Sequence, residues 1–184
     1  MFLLLKPKVM ILIRREHSMI RSIIWTVIIC VATAILQSTL LAKIAILNVV
    51  PDLALCALVF SSYVNGTMTG QVSGFLSGLL IDFLSAAPIG MSSLIRTLIG
   101  ALTGLFKDSL FLGYVIMPII LCAIATILKA LMMFVLHLIM GSAIPAYSFV
   151  NSDFWIELGF NSLSAPLLFL ILRNFKFMLI GRGQ

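Results

Sequence analysis

The stretch NGTMTGQVSGFLSGLLIDF, residues 65–83, places glycine at 66, 70, 74 and 78, and the next step of four lands on Asp82. At 3.6 residues per turn a four-residue step advances about 400°, so Gly66, Gly70, Gly74 and Gly78 form one slanting groove, with Ser73 and Ser77 beside it. Lipid tails are as apolar as leucine. Membrane helices therefore associate through close backbone contact, which small residues permit. The row predicts a helix over 67–84 whose groove receives another helix. That helix belongs to the same chain, to a partner protein, or to a second copy in a homodimer. Gly100 and Gly104 repeat the device further along.

Composition supplies the membrane. The chain has 184 residues, 62% hydrophobic and 10% charged, with a mean hydropathy of +1.22. A soluble domain carries roughly 25% charged residues and cannot hide this much apolar surface. Several runs approach the ~20 apolar residues that cross a ~30 Å hydrocarbon core. The expectation is an all-α integral membrane protein in contact with membrane lipid.

Punctuation then predicts six transmembrane helices, over about 22–42, 52–64, 67–84, 90–106, 114–140 and 159–176. Pro51 and Asp52 suit the start of the second, because proline's missing N–H costs nothing in a first turn and a carboxylate favours the positive end of the dipole. Asn65-Gly66 and SAAPIG (85–90) read as turns. Residues 1–18 are a basic tail, interrupted by Lys6, Pro7 and Lys8. They form an amphipathic surface segment, or else Met19 is the true start, leaving 19–184 as a single six-helix domain.

Charge fixes the orientation. Lys6, Lys8, Arg14, Arg15 and Arg21 precede the first span, while Arg173, Lys176 and Arg182 lie in or after the last. Lys107 falls in a cytoplasmic loop, and the outer loops hold only Lys43 against Asp52, Asp153 and Glu157. This positive-inside pattern puts both termini in the cytoplasm, and it accounts for the +6 net charge without a nucleic-acid partner.

Two cations, Arg96 and Lys129, fall well inside spans. An unpaired Arg at a bilayer centre costs at least ~2.5–3.5 kcal/mol. Arg96 is therefore expected to extend along its stem to Asp82 and fasten the hairpin of the third and fourth spans. Lys129 has no acidic residue at its own depth, so it faces the protein interior, a cavity or a partner. Asp153 and Glu157, four apart, are read as acidic decoration at the start of the sixth span. His17 and His137 stand alone at membrane edges. Cys30, Cys56 and Cys122 are odd in number and lack CxxC spacing, which points to small core hydrophobes. No P-loop, HExxH or GxSxG is present, so neither catalytic residues, nor a metal site, nor a cofactor is expected.

With the motifs placed, residues 50–104 resemble MreD, the bacterial rod shape-determining membrane protein. The matching elements are Pro51-Asp52, the block Gly74-Phe75, Gly78-Leu79 and Asp82, the turn at Gly90, Leu94, and the pair Gly100 and Gly104. The resemblance implies a non-enzymatic subunit of the cell-elongation complex in the bacterial inner membrane. Such a subunit binds the single-span MreC and works with MreB, RodA and a class B penicillin-binding protein in peptidoglycan synthesis. It also implies the six-helix fold of the substrate-binding subunits of energy-coupling-factor vitamin transporters. That likeness supplies an alternative, in which Arg96 and Lys129 line a pocket for an anionic vitamin.

Overall fold

A computed structural model describes residues 5–39, 49–85, 88–107, 115–141 and 152–174. These build six helices: α1 Leu5–Thr39, α2 Leu53–Asn65, α3 Thr67–Leu84, α4 Met91–Leu105, α5 Ile116–Met140 and α6 Ser152–Asn174. Among the described residues, three segments are long and apolar enough to cross a membrane: Ser18–Thr39, Ile116–Met140 and Ser152–Asn174. The basic tail read from the sequence runs from Leu5 into α1 without a break, as one 35-residue helix. Pro7 falls in its first turn, where helix N–H groups have no acceptor anyway. The sixth helix begins earlier than expected, at Ser152, with Asp153 in its first turn. Residues 142–151, between α5 and α6, lie outside the described residues.

The core is organised around α2. Every residue from Ala54 to Ser62 is buried, as expected of a helix that is apolar all round, and α2 packs against each of the other five helices. Leu55, Leu58 and Val59 fill the centre with Cys30 of α1, Ile99 of α4, Leu121 and Cys122 of α5, and Ala165 of α6. Phe60 meets Phe169 of α6 edge-on, with centroids 4.9 Å apart. All three cysteines are free and buried. At 13 residues, α2 is about 20 Å long, some 10 Å short of the hydrocarbon thickness. A helix this short, enclosed by longer ones, places its polar start inside the bundle.

The glycine row faces α4. A Cβ at Gly70 would fall within 3.0 Å of the Gly100 carbonyl, one at Gly74 against the Arg96 carbonyl, and one at Gly78 against the Ser93 backbone. From the other side, a Cβ at Gly104 would meet Thr67 Cα at 2.5 Å. The two backbones touch along the whole hairpin, and Ser93 Oγ donates to the Phe75 carbonyl across it at 3.1 Å. A Cβ at Gly66, whose φ is +94°, would meet the Lys107 stem at the end of the row. It joins α2 to α3 in a conformation that L side chains rarely adopt. The groove is thus filled from within the chain.

Gly74→Ile should therefore destabilise the protein by at least about 2 kcal/mol, since the clash is with backbone and no side chain can yield. Leu76→Ile, at a position 39% exposed, should change stability by less than about 0.5 kcal/mol. Unfolding in mixed micelles measures both.

Candidate functional site

The site begins at the start of α2. Asp52 caps the helix, its Oδ1 accepting the Leu55 N–H at 3.0 Å. The same Oδ1 takes Arg96 Nη2 of α4 at 3.2 Å, and Oδ2 takes Lys129 Nζ of α5 at 2.9 Å. Lys129 also donates to Glu157 Oε1 of α6 at 2.7 Å. Asp52 presents its backbone N–H to Asn161 Oδ1 at 2.7 Å. Asn161 Nδ2 in turn donates to Thr126 Oγ1 at 3.0 Å, whose hydroxyl donates to the Cys122 carbonyl at 2.8 Å. Four helices are joined by two cations and two carboxylates.

Burial gives this arrangement its weight. The side chains of Arg96, Asp52 and Glu157 are 7%, 10% and 9% exposed, and only Lys129, at 23%, reaches outward. Taking each ion out of water costs several kcal/mol, which close opposite charges and hydrogen bonds offset. Arg96 Nη1 is the single buried side-chain nitrogen or oxygen without a partner among the described residues.

The structure redistributes the charges expected from sequence. Asp82 does not pair with Arg96. Its Oδ2 accepts the backbone N–H groups of Gly90 at 2.9 Å and Ser93 at 3.2 Å, and its Oδ1 accepts that of Ser92 at 3.0 Å. It thus caps α4, satisfying donors that a helix start leaves open and meeting the positive end of the dipole. The hairpin is still fastened by Asp82, but through backbone. Arg96 lies a turn further along α4 and turns to Asp52. Lys129, for which no acidic partner was expected, has two. Glu157 is buried in the cluster instead of decorating a helix end, while Asp153 stays exposed. Asn161 and Thr126 gave no sequence signal, being single polar residues within apolar runs. Pro51 precedes the Asp52 cap, and Gly66, Gly70, Gly74, Gly78, Gly100 and Gly104 line the α3–α4 contact.

Compared with known families, residues 19–178 match the model of MreD, the rod shape-determining protein. The chain belongs to the MreD family. The match spans all six helices apart from the first part of α1, so the Asp52 cluster and the glycine hairpin both fall within the MreD region. No curated protein and no solved structure matches the chain. Membership makes this a membrane protein of the rod-shape system, a family not known for enzymatic activity.

Asp52→Asn in this MreD chain should cost about 3–5 kcal/mol, because it leaves Arg96 and Lys129 short of a buried counter-charge. In double-mutant cycles, Asp52→Asn with Arg96→Met should couple by about 1–3 kcal/mol, whereas Asp82→Asn with Arg96→Met should be additive to within about 0.5 kcal/mol. Unfolding free energies of the single and double variants decide which carboxylate Arg96 meets.

Proposed function

We propose that the chain is a non-enzymatic, multi-pass subunit of the bacterial elongation complex. It holds an MreC-like single-span protein in the cytoplasmic membrane and acts with MreB, RodA and a class B penicillin-binding protein in lateral-wall peptidoglycan synthesis. The observation that carries this reading is the family match over residues 19–178. The geometry agrees with a holding role. The charged groups inside the bundle neutralise one another, and they tie α2, α4, α5 and α6 together.

The glycine row is not the surface offered to that partner, since α4 occupies it. The partner docks on another face. The vitamin-binding alternative needs Arg96 and Lys129 to take an anion, whereas Arg96 Nη2 is held by Asp52 and Lys129 Nζ by Asp52 and Glu157. The cluster has no surplus positive charge with which to attract one.

The function is tested by depletion and co-purification. Depleted rod-shaped cells should become round and swollen with a wall-synthesis defect and no vitamin requirement, and the tagged chain should retain an MreC-like protein in mild detergent. Normal shape on depletion, with tight vitamin binding by the purified protein, would overturn the reading.

All six helices are proposed to cross the membrane, with both termini cytoplasmic. The support is the clustering of basic residues at the two ends of the chain. Alkaline phosphatase fused after Gly183 should be inactive, and fused at Asn151 it should be active. An active fusion at Gly183 removes this topology.

A further inference from the structure

The charge cluster neutralises itself but leaves one donor over. Arg96 gives Nη2 to Asp52 at 3.2 Å, while its Nη1 has no hydrogen-bond partner among the described residues. The Arg96 side chain is 7% exposed, so bulk water does not reach that nitrogen. A buried N–H without an acceptor gives up its hydration and recovers nothing, and the loss is greater on an ionised group.

Two other buried polar side chains lie close by. The Cys30 thiol of α1 interacts with the Ser77 side chain of α3 and with the charges of Arg96 and Asp52. Cys30 and Ser77 are both 0% exposed. Each has already placed its proton. Cys30 Sγ donates to the Ala54 carbonyl at 3.6 Å, and Ser77 Oγ donates to the Gly74 carbonyl at 3.3 Å. What remains on the sulfur and on the hydroxyl oxygen is capacity to accept. Cys30, Ser77, Ala54 and Gly74 are also small, and small neighbours are what lets a compact group sit beside a guanidinium.

Charge and hydrogen-bond demand together select the ligand. Arg96 and Lys129 balance Asp52 and Glu157, so an added anion would be buried without a counter-charge of its own. A carbonyl oxygen from another chain accepts but cannot donate, and it leaves the acceptors on Ser77 and Cys30 unanswered. A water molecule accepts from Nη1 and donates to both, which gives it the roughly three hydrogen bonds typical of a buried water.

We propose that the α1 and α3 side of the charge cluster is a binding site for one ordered water, which accepts from Arg96 Nη1 and donates to Ser77 Oγ and Cys30 Sγ. The ion pairs join the α2 start to α4, α5 and α6. The water carries the same polar network to α1 and α3, the two helices that the ion pairs do not reach. This inference does not depend on which protein the bundle holds.

The test uses the full chain, isotope-labelled at arginine and aspartate and reconstituted in phosphatidylcholine bilayers. Solid-state NMR measures magnetisation transfer from water protons to the guanidinium nitrogens. The Arg96 signal is identified by its correlation with the Asp52 carboxylate, and Arg173, exposed in the last turn of α6, is the reference. Arg96 should receive magnetisation from water although it is buried, and the transfer should persist in a complex with any co-purifying protein. Ser77→Ala removes one acceptor with little change of volume and should lower the transfer. Cys30→Met extends an apolar side chain into the site and should abolish it. Transfer to Arg173 should be the same throughout. If Cys30→Met fails to insert, Ser77→Ala alone decides. Absence of transfer to Arg96 in the wild-type chain would overturn the proposal, as would undiminished transfer in Ser77→Ala. Transfer present in the isolated chain but lost in the complex would give Nη1 to an acceptor on the other protein, and would overturn it as well.

Discussion

A carboxylate buried at the start of a helix that lies at the centre of a bundle has to be neutralised where it stands, and Asp52 is in that position. Its two oxygens are shared between a helix cap, a guanidinium and an ammonium from three different helices, and the ammonium recruits Glu157 from a fourth. No two of these groups suffice. Arg96 and Lys129 together overcompensate Asp52, and Glu157 restores balance. The position of α5 and α6 relative to the other helices is therefore tied to one residue outside any helix. Such clusters are weak evidence for net stability, because apolar replacements can pack as well. In the observed packing of α2, α4, α5 and α6 each of these charges meets an opposite one.

The α3–α4 hairpin is held by a different principle. Its glycines remove side chains from the contact, so the two backbones approach closely and dispersion acts over the full length. Asp82 closes one end by accepting three N–H groups of the α4 start. The two aspartates thus have distinct roles. One caps its own helix and gathers cations, and the other caps a neighbouring helix and gathers backbone donors.

For a member of the MreD family, this division has a functional consequence. The interior of the described bundle is occupied by its own contacts, so a partner of the kind proposed would be met on an outer face, where lipid is the competitor. On those faces an exposed leucine is indistinguishable from the acyl chains around it. Close backbone approach and charge at the membrane surface are what remain to discriminate one neighbour from another.

Much of this architecture is legible in the sequence. Composition demands a membrane, the positions of lysine and arginine imply an orientation, and Gly66 to Gly78 mark a close helix contact. The turn residues bound α3 and α4 to within a residue or two. These features are local or additive, so a one-dimensional reading captures them. The sequence does not say which charges meet. Asp82 and Arg96 lie fourteen positions apart on either side of one hairpin turn, and on spacing alone they form the natural pair. Asp52 and Arg96 are separated by 44 positions and Lys129 and Asp52 by 77, and nothing in the chain announces either. Backbone N–H groups at a helix start carry no letter in the sequence, so the claim of α4 on Asp82 was invisible. Only the packing of α2 at the centre, which sets Asp52 within reach of three other helices, decided the pairing. A buried charge takes the partner that the fold brings to its depth, and depth is a property of the assembled helices.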